Sequence, residues 1–559
     1  MPTRFLASFA LFLLTAVVAF GQPNSKLSRD LPKQGDKEID VIIQFKKNVK
    51  QKQIDRVRGK GGRHKRALGR SKAGLFSVRA SKLKKLAEDP DIAFISPDRP
   101  LKASMDYTRP TVGADLAFDS GWDGSGVGVA VIDSGVSNRI GLKENRVYQE
   151  KINEAWVNAN DYHGHGSHVA GTILDSGEVS AGVYRGIAPG ANLINLRVLD
   201  RFGEGTDSLV IAAIQRAIEL KDTYNIRVIN LSLGRPVFES HETDPLCLAV
   251  KQAWEAGIVV VVAAGNLGRD NSFENEGYGT ITSPGNSPYA ITVGAMKTRS
   301  TASRTNDRIA SYSSKGPTLI DHIVKPDIVA PGNQVVSSRP KRVNNRDLLN
   351  NYPENMVGED NYRLNGTSMA APVVSGAAAL LLQKDPSLSP DQVKARLMRT
   401  AVKTFPTSST ATDPTTGETF TSDYNIFTVG AGYLDITAAL NDTEPIPANL
   451  AALSPVVSFD ETTGEVTLVT DSSVLWGTNV LWGTNVIWGT SVIWGTSVVV
   501  EDNSVLWGTS VLWGTSVVWG TGSPEGNSVI WGTESPYANS VLWGTGVVWG
   551  TNVLIEGEE

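Results

Sequence analysis

The chain has 559 residues, room for about three or four domains of roughly 150 residues each, and 41% of them are hydrophobic and 20% charged. That composition excludes wholesale disorder, and a single cysteine, Cys247, excludes any disulfide within the chain. The net charge of -5 conceals three unlike segments: residues 1–104 carry 23 Lys and Arg against 9 Asp and Glu, residues 105–403 carry 30 against 32, and residues 404–559 carry none against 17.

In chain order, Arg4 precedes an apolar run from Phe5 to Phe20, and Ala19-Phe20-Gly21 offers small residues where a signal peptidase reads. Residues 1–21 are therefore expected to be a secretory signal peptide, which places the protein outside the cell or on its surface. The run is too short for a membrane anchor, and no later stretch has the roughly 18 unbroken apolar residues of a spanning helix, so no transmembrane segment is expected. No cysteine follows the run, so no lipid is attached there.

Residues 22–104 read as a small α+β unit. Val41 to Phe45, Leu75 to Val78 and Ile92 to Ile95 have strand character, Ser81 to Leu86 is a short helix, and the basic stretch Arg56 to Arg66 is partly loop. The positive charge of this unit is compatible with nucleic-acid binding. Its position behind an export signal and before an acidic remainder instead favours a partner within the same chain, and no nucleic-acid partner is expected.

From about residue 111 to 440, apolar runs of strand length alternate with amphipathic helices. The runs are Gly128 to Ile132, ending at Asp133, then Asn192 to Val198, Val228 to Leu233 and Ile258 to Ala264; helical patterns occupy Ser208 to Lys221 and Pro245 to Ala256. Continuous apolar strands separated by helices predict an α/β domain with a doubly wound, mostly parallel sheet covered on both faces. In such sheets ligands gather at the carboxyl ends of the strands, where Asp133, Ser232 to Gly234 and Asn266 fall.

Three local sequences carry chemistry: Val131-Ile132-Asp133-Ser134-Gly135, His165-Gly166-Ser167-His168-Val169-Ala170-Gly171-Thr172 and Gly366-Thr367-Ser368-Met369-Ala370-Ala371-Pro372. They supply an acid, a base and a nucleophile. A serine hydroxyl is a weak nucleophile until an imidazole takes its proton, and the imidazole works best when a buried carboxylate fixes its tautomer. Ser368 opens a small-residue helix, Met369 to Gln383, which puts its hydroxyl and N–H at a positive helix end.

These segments, in this order, resemble the subtilisin-like serine proteases, the subtilase family, over residues 111–440, with Ser167 where threonine is commoner. The resemblance implies a serine endopeptidase acting on proteins and peptides, with Asp133, His165 and Ser368 as the catalytic set. It also implies that Asn266, in Ala263-Ala264-Gly265-Asn266, donates its amide to the oxyanion. Ser232, Leu233 and Gly234 resemble the strand that pairs with the substrate main chain, with Gly265 behind it, which implies broad specificity. Residues 22–104 resemble the family's inhibitory propeptide, cut autocatalytically between about Ala103 and Tyr107. No cofactor is implied for the chemistry. A structural calcium ion is compatible with the family, and the loop Asp175 to Val183 lies where many members bind one, without a clean match.

His163, His165 and His168 raise zinc as an alternative, but the helical His spacing of i and i+4 with an intervening Glu is missing. His168 is then a packed helix residue and His163 a loop residue. Cys247, inside Leu246-Cys247-Leu248-Ala249-Val250, is expected to be a buried inert thiol.

Residues 105–445 thus form the expected catalytic domain, and residues 446–559 an acidic extension. From Ser473 to Leu554 a six-residue unit, Ser/Asn-Val-Leu/Ile/Val-Trp-Gly-Thr, recurs with ten Trp-Gly-Thr triplets between Trp476 and Thr551. An even period keeps Val474, Val480 and Val486 on one face of short strands, which predicts a β-rich tail of stacked hexapeptide repeats; a low-complexity segment without a unique fold is the alternative. The tail's candidate partners are a cell surface or a polysaccharide. A rival reading makes the repeat the working part of a binding protein, with the protease domain serving only to process the chain.

Overall fold

The computed structural model describes residues 26–28, 31–32, 38–68, 72–98, 107–272, 275–340, 347–413, 416–447, 451–460 and 465–469, and the main chain of 518–519, 528–529 and 549–550. The expected signal peptide (1–21), most of the expected processing junction (Ala103 to Tyr107) and most of the repeat lie outside the described residues. The chain divides into two compact units, Met1–Ala103 and Ser104–Glu559.

In the first unit β1 (Glu38–Phe45), α1 (Gln51–Gly59), β2 (Gly62–Ala67), β3 (Ala73–Arg79), α2 (Leu83–Ala87) and β4 (Ile92–Pro97) follow one another, and the strands form one antiparallel sheet in the order β2-β3-β1-β4. Alternate residues Val41, Ile43 and Phe45 turn inward onto Phe76, Val78, Leu83 and Leu86. The stretch read from sequence as partly loop is instead α1 followed by β2. Val57 is buried and Ile54 packs on the core, while Arg56 and Arg58 on either side of Val57 are exposed; the charge density hides a helical period of only two apolar positions.

The second unit opens with α3 (Thr108–Val112) and α4 (Ala114–Asp119). Its central sheet is built from β5 (Gly128–Asp133), β6 (Arg146–Lys151), β7 (Asn192–Arg197), β9 (Ile226–Leu231), β10 (Val259–Ala263), β11 (Ile291–Lys297), β12 (Arg308–Ile309) and β13 (Ile328–Pro331), with the two-residue β8 (Glu204–Gly205) outside it. The order is β12-β11-β10-β9-β5-β7-β6, and β13 also pairs with β11. Every pairing is parallel except β11 with β12. The mostly parallel α/β sheet expected from the sequence is therefore present.

Both faces of this sheet are covered, and the strands show why. Val129 and Val131 enter one core with α5 (His165–Leu174) and α10 (Thr367–Lys384), whereas Ala130 and Ile132 enter a second core with α6 (Asp207–Glu219) and α8 (Pro245–Glu255). Side chains alternate across a strand, so a strand apolar at every position needs two partners. The short α7 (Lys221–Tyr224) and α9 (Asp347–Asn351) are connectors, and α11 (Pro390–Thr400) packs beside α10 behind an N-cap in which Ser389 Oγ accepts the Gln392 N–H at 3.2 Å.

The folded body continues past residue 445. Gln392 Nε2 donates to the Ile446 carbonyl at 3.0 Å, the Ala452 N–H to Asp391 at 2.7 Å, the Val324 N–H to the Pro455 carbonyl at 2.8 Å and the Val457 N–H to the His322 carbonyl at 2.9 Å. Ile446, Ala452, Ser454 and Val457 are all buried, and Val456–Asp460 pairs antiparallel with Glu465–Val469. The boundary drawn from sequence at 445/446 thus falls inside a strap that closes the body. Deleting residues 446–559 is expected to lower stability by several kcal/mol, at about 1.5–3 kcal/mol per lost aliphatic burial. Deleting residues 471–559 is expected to cost far less, about 1 kcal/mol or under; thermal melts of the two truncations check this, and equal melting temperatures would refute the strap.

Candidate active site

The carboxyl end of β5 sets the first group. Asp133 is fully buried, its Oδ1 accepts the Ser134 N–H at 2.7 Å, and His165 Nδ1 lies 2.8 Å from Oδ1 and 3.0 Å from Oδ2. The buried carboxylate thereby fixes the imidazole tautomer with its proton on Nδ1. His165 Nε2 is buried and has no hydrogen-bond partner among the described residues.

His165 is the first residue of α5, and a carboxylate that the sequence reading missed holds that helix end. Asp161 Oδ1 accepts the N–H groups of His163 (3.0 Å) and Gly164 (2.7 Å), and Oδ2 accepts that of Ser167 (2.9 Å). Ser134 Oγ bridges the two segments, donating to Asp161 Oδ1 and accepting the Gly166 N–H, both at 2.9 Å. A carboxylate against unpaired N–H groups and the positive helix end is favourable. No cap signal marks it in the sequence, because the residue directly before the helix is Gly164 and Asp161 stands three residues before that. Gly164, at φ 120°, makes the turn into the helix.

Ser368 sits in the first turn of α10, which packs on α5 and on β9, β10 and β11. Its hydroxyl donates to the Ser232 carbonyl at 3.1 Å, and Ser232 Oγ donates back to the Ser368 carbonyl at 2.8 Å. Asn230 Nδ2 supports Ser232 Oγ at 2.9 Å, and Ser375 Oγ fixes Asn230 Oδ1 at 2.8 Å. The structure therefore joins Asp133 to His165, and joins Ser368 to Ser232 rather than to the imidazole. Catalytic hydrogen bonds are often unformed without substrate.

Asn266 follows the end of β10. Its Oδ1 accepts the Thr367 N–H at 2.9 Å and the Thr367 hydroxyl at 3.1 Å, which directs the Nδ2 branch of the amide away from Thr367. Thr367 Oγ1 also accepts the Gly265 N–H at 3.1 Å. A Cβ at Gly265, whose φ is 109°, would lie 2.7 Å from Ser314 Oγ, and one at Gly234 would lie 2.6 Å from Thr282 Oγ1, so both positions are kept clear of side chains. Leu233, directly before Gly234 and two residues past the end of β9, is buried.

The zinc alternative fails on geometry. His168 Nε2 is 3.1 Å from the carbonyls of both Val335 and Tyr362, and burial pushes its pKa down to about 3. His165 is committed to Asp133, and among the described residues no group of three or more His, Cys, Asp and Glu side chains is placed to hold a metal ion. The Asp175 to Val183 loop does not fit calcium either: Asp175 accepts the Gly177 N–H at 2.7 Å and the Ser338 hydroxyl, and the Arg185 guanidinium reaches across the loop to the Ser176 carbonyl at 3.3 Å. Cys247 is buried with Sγ 3.2 Å from Asn286 Oδ1, and burial pushes its thiol far above the usual range.

A profile described as "Subtilase family" matches residues 124–427. Serine protease AprX of Bacillus subtilis (strain 168) is 39% identical over 318 residues, 55% of this chain and 69% of the relative. Subtilisin E of the same organism is 33% identical over 398 residues, 70% of this chain and 92% of the relative. The solved structure of a cold adapted subtilisin-like serine proteinase matches with 30% identity and a TM-score of 0.38, covering 50% of this chain and 84% of that one. The extent of the family match, and the relatives' identity over most of their own length, show that the chain belongs to the subtilase family and is a serine-type endopeptidase with protein or peptide substrates.

Proposed function

We propose that the chain is exported as a precursor and works as a broadly specific endopeptidase through Asp133, His165, Ser368 and Asn266. The observation that carries the reading is the pairing of His165 Nδ1 with a fully buried carboxylate while Nε2 is left without a partner among the described residues. In this reading Nε2 accepts the Ser368 proton as the oxygen attacks the peptide carbonyl, Asp133 stabilises the imidazolium, and the same proton passes to the leaving amine; water then repeats the sequence on the acyl-enzyme. A substrate N–H that takes over the Ser232 carbonyl releases the Ser368 hydroxyl toward Nε2, so binding and activation are coupled. Main-chain pairing along Ser232, Leu233 and Gly234, with Gly265 behind, reads backbone rather than side chains and supports broad specificity.

Asn266 Nδ2 and the Ser368 N–H are assigned to the oxyanion. Because that charge exists only in the tetrahedral state, Asn266→Ala is expected to lower kcat about 10²–10³-fold with little change in KM, a magnitude borrowed from the side-chain donor of subtilisin. Steady-state kinetics on a peptide substrate check it; a loss confined to KM would remove Asn266 from this role.

Residues 22–104 act in this reading as chaperone and inhibitor, the working enzyme lies outside the cell or at its surface, and no cofactor enters the chemistry. A structural calcium ion, if bound, is not assigned to the 175–183 loop. The test treats the purified protein with a serine-directed phosphonylating reagent, follows protein hydrolysis and maps the adduct. Label at Ser368 with loss of hydrolysis is expected, together with a Ser368→Ala precursor left uncut near Ala103. Undiminished hydrolysis by the labelled protein would overturn the proposal, and trimming of the variant at that junction would overturn self-processing.

A further inference from the structure

Among the described residues, one short pairing joins the repeat to the catalytic body. Trp549–Gly550, in the last Trp-Gly-Thr triplet, lies antiparallel on β8, with Trp549 opposite Gly205 and Gly550 opposite Glu204. We propose that the Trp-Gly-Thr units are strand ligands of the β8 edge, so that the tail competes there with extended peptide substrates; this rests on the protease reading above.

The edge is built to receive a strand. The Glu204 N–H donates to Asp200 Oδ1 at 3.0 Å and its carbonyl accepts the Asp200 N–H at 2.8 Å, so Glu204 spends its main chain on its own turn. Successive residues of an extended strand point these groups to opposite sides, which turns those of Gly205 outward to a partner. A Cβ at Gly205 would lie 2.7 Å from the Val198 carbonyl and 2.8 Å from Leu199 Cδ2, so the edge is pressed against the segment whose Val198 N–H donates to the Asp133 carbonyl at 2.9 Å. Two residues on, Asp207 is tied to Arg235 at 3.0 Å, the residue directly after Gly234. The β8 edge and the Ser232 to Gly234 edge are thus held beside one another, next to the main chain of Asp133.

The ligand is supplied in many copies. Ten near-identical triplets on the same chain present the same backbone at high local concentration, and main-chain pairing accepts any of them. The tail also carries no Lys or Arg.

The test compares the full chain, its intactness established by mass, with a chain lacking residues 471–559. A long substrate has at least four residues before the scissile bond; a short one has a single residue and does not reach β8. Deletion is expected to lower KM for the long substrate about fivefold or more, the worth of roughly one backbone hydrogen bond, with kcat and the short substrate unchanged. A synthetic Ser-Val-Val-Trp-Gly-Thr peptide should restore the higher KM competitively. In Ser368→Ala chains, which cannot trim themselves by the proposed mechanism, amide hydrogen exchange across residues 199–206 should be slower with the tail than without it. Equal KM values, or equal exchange, would overturn the proposal while leaving the protease reading intact; loss of hydrolysis in both forms would instead count against that reading.

Discussion

Ser368→Ala is expected to lower kcat about 10⁶-fold, with a comparable loss for His165→Ala and no further loss when the two are combined. The magnitude is borrowed from subtilisin; the non-additivity follows from the chemistry, because a base without its nucleophile and a nucleophile without its base are equally idle. Asp133→Ala should cost less, about 10⁴-fold, since the imidazole remains but its tautomer is no longer held. Folding should be unaffected by Ser368→Ala, because among the described residues the hydroxyl contributes one bond, 3.1 Å to the Ser232 carbonyl. Single-turnover rates of the variants and the double variant check this, and strictly multiplicative losses would argue that the residues do not act as one unit.

The largest effect of a single substitution on stability is expected at Asp327, far along the chain from these groups. Its Oδ2 accepts Lys325 Nζ at 2.6 Å and the Thr292 N–H at 2.7 Å, and its Oδ1 faces Lys394 Nζ at 3.1 Å; all three ionisable side chains are fully buried. Burial alone would raise the Asp327 carboxyl, but the two lysine charges outweigh it and hold it below the usual carboxylate range. Burial pushes Lys325 down to about 7 and lowers Lys394 as well. Asp327→Ala leaves two buried ammonium groups without a counter-charge, so a loss of about 3–5 kcal/mol is expected at pH 7.

The sign of the pH dependence follows from the same lysines. A lysine held near 7 in the folded protein and near 10.4 in the unfolded chain binds fewer protons when folded between those values, so stability rises with pH across that window. Lys403, pushed to about 7, and Lys315, to about 8, both by burial, act in the same direction. The parent should therefore be more resistant to urea at pH 9 than at pH 7, and the Asp327→Ala deficit should shrink as the lysines become neutral. Urea titrations in the Ser368→Ala background, free of self-digestion in the proposed mechanism, check both; a deficit under about 1 kcal/mol at pH 7 would show that the cluster is not a buried ion network.

Much of the site was legible because its signals are local. Asp133 ends an apolar strand, His165 stands in the contiguous His-Gly-Ser-His motif, and Ser368 lies among small residues that let α10 pack closely on its neighbours. The hidden part is made of contacts between residues far apart in the chain. Asp161 was missed although its partners are near, because its capping role shows only once α5 is known to start at His165. The Asp327 cluster joins positions 325, 327, 394 and 454, with Ser454 Oγ donating to Asp327, and no local period marks any of them.

By itself, the sequence determined the α/β class, the parallel order of strand and helix, the charge division of the chain and the family resemblance, because each is written in hydrophobic periodicity or in short contiguous motifs. Only the tertiary structure decided that the Ser368 hydroxyl rests on Ser232, that the Arg185 guanidinium crosses the loop considered for calcium, that the folded body runs on to the Val456–Asp460 strand and that a repeat unit lies on β8. These are choices among partners that several residues could equally have made. Burial settles them, since each polar group taken out of water must find whichever partner the folded backbone brings within reach.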